Sequence, residues 1–257
     1  MNIFDELYGR YPQLKCCEGE ISKAFDLLLS CYKNGGKVLT CGNGGSAADA
    51  EHIVGELMKK FRKHRDIDSG VAAKLPPELV ARLEGALPAV SLVSMSGILT
   101  AFANDVAWET AFAQQVYGLG NPGDILIALS TSGNSANCVN AALVAKAKGL
   151  RVIALTGAGG GRLGELADAA IKVPESETYR IQELHLPAYH ALCAAIEDAM
   201  FYARDEPLSL RQADGVVPVC RRKTSLKYCA EEKPQSAATC ATGSLVVSRR
   251  LRAVLMR

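Results

Sequence analysis

The sequence predicts an α/β fold: a doubly wound sheet of five parallel strands with helices on both faces. Five apolar runs, Lys37–Cys41, Pro88–Val93, Ile125–Leu129, Arg151–Leu155 and Ala170–Val173, are near-continuous rather than alternating, as strands covered on both faces are. Segments with helical spacing separate them. Two of the runs end in glycine- or serine-rich turns that open helical stretches, the place where such sheets bind ligands.

Taken in order, residues 3–34 carry apolar positions at helical spacing, with Ile21, Phe25, Leu28 and Leu29 on one face, and Gly35-Gly36 stops them. The first strand follows, then the loop Gly42-Asn43-Gly44-Gly45-Ser46 and a helix from about Ala47 to Phe61. Residues 62–87 break the pattern with clustered charges and Pro76-Pro77, which opens a short helix at 78–83; this stretch is expected to be a surface insertion. After the second strand, Asn104-Asp105 are expected near a turn, and Trp108, Phe112 and Val116 mark a helix. Asn121-Pro122-Gly123-Asp124 is a turn before the third strand. Ala136–Lys148 is helical, closed by Gly149, and the fourth strand leads through a glycine turn to a short helix at 163–167 and the fifth strand. A long helix is expected from about Ile181 to Tyr202. Residues 1–205 thus form one domain. From 206 the periodicity fades, apart from a short strand candidate at Leu245-Val246-Val247, and a poorly ordered tail is expected.

At 257 residues and 49% hydrophobic content the chain can bury one sizeable core, which excludes disorder throughout. No apolar run approaches the ~18 residues that span a bilayer, and the N-terminus lacks a basic-then-apolar leader. A cytoplasmic protein with no membrane partner is expected. The nine cysteines are irregularly spaced with no C-x-x-C pair, which suits free thiols in a reducing compartment. The net charge of +2 is uneven: residues 206–257 hold ten Lys/Arg against four Asp/Glu, leaving 19 against 23 in the first 205. Charge at a chain end is usually solvated, so nucleic acid is not the expected partner.

The two turns point to an anion. Gly42, Gly44 and Gly45 let backbone approach a ligand, and the first-turn N–H groups of the helix that follows are free to donate. Ser130-Thr131-Ser132-Gly133-Asn134-Ser135 offers hydroxyls at a second helix start, without positive charge. A phosphate monoester suits both; a helix capped by Ser46 or by the serine loop is the plain structural alternative. His52 and Glu56, four apart, share a helix face and can converge on one metal or substrate, or form a surface pair.

Together with Arg180-Ile181-Gln182-Glu183 and His190, these loops resemble the sugar isomerase (SIS) domain family over roughly residues 20–203, and within it the sedoheptulose 7-phosphate (phosphoheptose) isomerases. The resemblance implies a flavodoxin-like sheet, a homo-oligomer that is usually a tetramer with sites at subunit boundaries, a small phosphosugar as partner, and conversion of a ketoheptose phosphate to its aldose. It implies Zn2+ held by His52, Glu56, Gln182 and His190, with Glu56 as base and His190 as acid/base. It assigns sugar hydroxyls to Asn43, Asn104 and Asp105, with Ser46 a further contact, alongside Gly44, Gly45, Ser130, Thr131, Ser132, Ser135 and Gln182 as substrate-binding positions.

Zinc accepts imidazole and carboxylate donors, but eight residues of straight helix separate Gln182 from His190 by ~12 Å. Either Gln182 precedes the regular helix, or the helix bends, or another subunit contributes. His185 is expected to face elsewhere as a satisfied structural histidine. Lys60 stands where many members have Arg, and Tyr179 where they have Asp or a small residue. A noncatalytic SIS protein that binds a replication initiator or senses a sugar phosphate, and an isomerase for another phosphosugar, remain the alternatives.

Overall fold

The structure is a computed structural model that describes residues 2–202. The tail expected from 206 onward, with the strand candidate at 245–247, lies outside the described residues. Helices α1 (Ile3–Arg10) and α2 (Glu18–Lys33) precede β1 (Val38–Cys41) and are joined by a 3-10 turn over Pro12–Cys17. Then follow α3 (Gly45–Met58), the short α4 (Ser69–Ala72) and α5 (Pro77–Val80), β2 (Ala89–Ser91), α6 (Ser96–Asp105) and α7 (Ala111–Leu119). The remainder is β3 (Ile125–Leu129), α8 (Ala136–Ala147), β4 (Arg151–Thr156), α9 (Gly161–Leu166), β5 (Ala169–Lys172) and α10 (Thr178–Glu197). The five strands are parallel in the order β2-β1-β3-β4-β5, as the apolar runs predict.

Because successive strand residues point to opposite faces, each strand feeds two cores. Val38, Ile125, Ile127, Leu129, Ile153 and Leu155 pack under α1, α2, α3 and α10, whereas Leu39, Cys41, Leu126, Ala128, Val152 and Ala154 pack under α7, α8 and α9. The helix leaving β1 therefore covers one face and the helix leaving β3 the other. Between these neighbouring strands the winding reverses, which opens a crevice at their carboxyl ends. Both predicted loops border it.

The sequence reading needs three corrections. Residues 96–105 form a helix, α6, that the sequence reading did not include, and Asn104 and Asp105, expected near a turn, occupy its last turn just before Val106. Gln182 lies inside α10, which runs unbroken across Pro187, so it does not precede the regular helix. The carbonyl that Pro187 leaves without an N–H partner belongs to the exposed Glu183. The third correction concerns the insertion. Helices α4 and α5 bury no residue, but Arg65 is only 1% exposed. Its Nε donates to Glu197 Oε1 at 2.7 Å, and its other nitrogens donate to the carbonyls of Leu57 and Glu56 at 2.7 and 3.0 Å. Glu197 also accepts from the backbone N–H groups of Phe61 and Arg62 at 2.8 Å each. Burial alone raises the Glu197 carboxyl, but these donors outweigh it and hold the group below the usual carboxylate value.

His185 is buried beneath the β4 tip, where its Nε2 bonds the Thr156 carbonyl at 3.2 Å and its Nδ1 has no partner. It is structural, as expected, but only half satisfied. Burial lowers its pKa from 6.5 to about 4 against the Thr156 hydrogen bond, which raises it. Between those values the unfolded chain takes up a proton that the folded chain refuses, so stability falls as pH drops through that window.

Two predictions follow from these buried groups. Urea unfolding of the wild type and of His185→Phe should differ in pH dependence: the wild type loses up to about 3 kcal/mol between pH 6.5 and 4 through this residue, and the variant lacks that component. Equal slopes would exclude the assignment. Replacing Glu197 by Gln leaves Arg65 buried without its counter-charge and should cost about 3–5 kcal/mol at neutral pH, measured in the same way. A cost under about 1 kcal/mol would show that the pair does not clamp the fold.

Candidate active site

At the β1 tip, Gly44 has φ 56°, and α3 starts at Gly45 with no side-chain cap. Ser46 is buried and caps nothing, so the reading of this loop as a serine-capped turn does not hold. Ala47 and Ala48 N–H donate to the Gly44 carbonyl, and among the described residues the N–H groups of Gly45 and Ser46 have no backbone acceptor. A Cβ on Gly45 would lie 2.6 Å from Nε2 of Gln182, so glycine here is what lets α10 close onto the loop. Gln182 therefore sits against the glycine loop.

The serine loop leaves β3. Ser130 and Ser135 hydroxyls bond each other at 2.9 Å, Ser132 Oγ accepts from Asn134 N–H at 3.2 Å, and Thr131 is half-buried. Gly133, at φ 68°, packs so closely on the turn after β4 that a Cβ would fall 2.0 Å from the Gly160 carbonyl. The two loops are tied together by reciprocal amide bonds, Asn43 Nδ2 to Asn137 Oδ1 at 2.9 Å and Asn137 Nδ2 to Asn43 Oδ1 at 2.8 Å. Asn43 thus joins the loops here, rather than presenting its whole amide to a sugar. The buried Asn137, in the first turn of α8, escapes a sequence reading because its partner is 94 residues away.

Farther along α3, the predicted cluster assembles. His52 Nε2 lies 3.2 Å from Glu56 Oε1 and 3.4 Å from His190 Nε2 of α10. The two imidazoles meet edge-on with ring centroids 4.9 Å apart. Lys59 Nζ holds the other Glu56 oxygen at 3.0 Å. On its far side, His52 Nδ1 faces the Tyr189 hydroxyl at 3.0 Å, and that hydroxyl donates to Asp49 Oδ1 at 3.1 Å. Burial lowers the His190 pKa, as does the neighbouring His52, while Glu56 works the other way. Neither Lys59, Asp49 nor Tyr189 is singled out by sequence reasoning. Asp49 carries a signal, its place one turn before His52, but Tyr189 is identified only by how α10 packs.

Gln182 is two turns before His190 and is not part of this cluster as placed. Asn104 and Asp105 are exposed at the end of α6, and among the described residues their side-chain hydrogen bond is to each other, at 2.8 Å. The structure therefore brings together His52, Glu56 and His190, places Gln182 with the glycine loop, and leaves the α6 pair apart. A cavity of about 320 Å3 opens beside His190 between α1 and α10, with Arg10, Tyr11, Phe61 and Arg62 in its wall. Neither loop borders it.

Among the described residues no three His, Cys, Asp or Glu groups are set to hold a metal ion. The donor types of the cluster, two imidazoles and a carboxylate around His52 Nε2, are of the kind that zinc accepts.

Residues 13–157 match the SIS domain family. The chain is 41% identical over 190 residues to a phosphoheptose isomerase of Rhodospirillum rubrum, covering 74% of this chain and 91% of that protein. It is 43% identical over 199 residues to one of Dechloromonas aromatica, covering 76% and 92%. Among solved structures, phosphoheptose isomerase from Neisseria gonorrhoeae superposes with a TM-score of 0.61 at 36% identity, over 76% of this chain and 95% of that one. The enzyme from Francisella tularensis superposes at 0.60 with 33% identity, over 77% and 100%. With the sheet order, the paired strand-tip loops and the His52–Glu56–His190 cluster already in place, the chain belongs to the SIS-domain family and, within it, to the phosphoheptose isomerases.

Proposed function

We propose that the protein interconverts sedoheptulose 7-phosphate and D-glycero-D-manno-heptose 7-phosphate, in the cytoplasm and as a homotetramer. The observation that carries this reading is the convergence of Glu56 and His190 on His52, seven residues along α3 from Gly45, ~10 Å at helical rise. An extended seven-carbon sugar has a comparable reach from its phosphate to its carbonyl end. The relatives named phosphoheptose isomerase support the same substrate class. Among the described residues no helix is long and apolar enough to cross a membrane.

Moving a hydrogen between adjacent carbons of a hydroxy-ketone needs a base at carbon, a group that moves hydroxyl protons, and stabilisation of the enediolate between them. Glu56 is the base: it removes the C1 proton of the ketose and returns it to C2. His190 passes the proton between the two oxygens, a role suited to an imidazole whose burial favours its neutral form. The unpaired N–H groups of the glycine loop, the hydroxyls of Ser130, Thr131, Ser132 and Ser135, and the Gln182 amide receive the phosphate end. His52 and His190 would hold zinc, with Glu56 as a ligand only when it is not acting as the base, and the metal when bound supplies Lewis-acid stabilisation of the developing oxyanion.

Steady-state assays with sedoheptulose 7-phosphate should show Glu56→Gln and His190→Ala each reduced by about 10²–10⁴-fold in kcat, with unchanged far-UV circular dichroism. Wild-type rates in both variants would overturn the catalytic assignment. Dialysis against a chelator should remove turnover and zinc together, and added Zn2+ should restore both.

A further inference from the structure

Three polar groups line up behind the cluster, and their proton inventory allows few arrangements. Tyr189 is 2% exposed, and its hydroxyl sits between Asp49 Oδ1 at 3.1 Å and His52 Nδ1 at 3.0 Å. A phenol carries one proton, a carboxylate none, and a neutral imidazole one on either nitrogen. If Tyr189 gives its proton to His52, the Asp49 oxygen is left 3.1 Å from the phenol oxygen with no proton between them. If it gives the proton to Asp49, the phenol oxygen is free to accept from Nδ1–H, and both contacts are satisfied. Hydrogen bonds to a charged acceptor are about twice as strong as neutral ones, which selects the second arrangement.

We propose that Asp49 and Tyr189 are positioning residues that hold His52 as its Nδ1–H tautomer and so leave Nε2 bare toward Glu56 and His190. The consequence is visible at the cluster. A bare Nε2 at 3.2 Å from a Glu56 carboxylate oxygen sets one lone pair against another, a repulsion that a cation between them would relieve. The Lys59 ammonium is on the other Glu56 oxygen. The edge-on Tyr189 ring, at 5.6 Å from the His52 ring centroid, restricts imidazole rotation, so the same residue fixes both the proton and the ring plane. Outer hydrogen-bond partners of this kind change metal affinity by about 10–100-fold in other sites. The use of Nε2 rests on the zinc reading above, whereas the tautomer does not.

The chain has four histidines, so selective 15N-histidine labelling of the metal-free protein at pH 8 resolves the His52 ring nitrogens. The wild type should show protonated Nδ1 and unprotonated Nε2. Tyr189→Phe should populate the Nε2–H form and lower zinc affinity by about 10–100-fold in competition with a chromophoric chelator. Asp49→Asn, which removes the charge and keeps the shape, should fall between the two. An Nε2–H tautomer in the wild type, or an unchanged tautomer in Tyr189→Phe, overturns the proposal. So does an unchanged zinc affinity in that variant. If the wild type binds no zinc, the metal reading fails by itself and the tautomer comparison decides the role of the pair.

Discussion

Helices α3 and α10 run parallel and in register, from Gly45 against Gln182, through Asp49 and His52 against Tyr189 and His190, to Phe61 against Glu197. The distances from Tyr189 and His190 to His52 follow from that packing. Parallel helices bring like dipole ends together, which is mildly unfavourable unless each end meets an opposite charge. At the amino end of α3 the phosphate of the proposed substrate would supply that match. At the carboxyl end of α3 it is the Arg65 guanidinium, buried on the Leu57 and Glu56 carbonyls and neutralised by Glu197 from α10. One ion pair thus satisfies helix-end carbonyls, joins the two helices and fixes the turn of α3 that carries Glu56.

The loops obey a related constraint, that backbone must come unusually close to its neighbours. Gly45 yields the space taken by the Gln182 amide, and Gly133 rests on the Gly160 carbonyl with no room for a Cβ. The Asn43–Asn137 amide pair then ties the β1 loop to the start of α8 across the crevice. Such contacts make the two loops a preformed surface. A ligand entering it does not have to order the loops first, which lowers the entropic cost of binding.

How much of this was legible in the sequence depends on the range of each interaction. The strands were readable because burial on both faces leaves continuous apolar runs, and His52 with Glu56 because a helix face repeats every four residues. The loops were readable from their glycines and hydroxyls at strand ends, and the family resemblance singled out His190. Helix α6 was missed because Ser96–Asp105 has no side-chain N-cap and buries only Leu99, so little periodicity marks it. Arg65 reads as one charge among several in 62–66, and only its distance from Glu197 in sequence, 132 residues, hid their pairing. Tyr189 is invisible for a similar reason: nothing local distinguishes a tyrosine beside His190 from ordinary core until the register of α10 on α3 places its hydroxyl between Asp49 and His52.

The polar groups of the α3–α10 seam divide into two kinds, and the division explains where the chemistry lies. At the clamp, Glu197 accepts from two backbone N–H groups and a guanidinium, and Arg65 is bonded on all three nitrogens, so donors and acceptors balance and the groups are inert. At the cluster the balance fails. With the Tyr189 hydroxyl donating to Asp49, the proposed tautomer leaves His52 Nε2 and the facing Glu56 oxygen both as acceptors, and a neutral His190 has one N–H to offer between them. An unbalanced set of acceptors held rigidly by a balanced one costs stability, and it persists because the seam on either side, Gly45 with Gln182 and Arg65 with Glu197, fixes the helices at that separation. The shortage of donors is therefore built into the backbone register, and it supports the cation site and the base role of Glu56 proposed above.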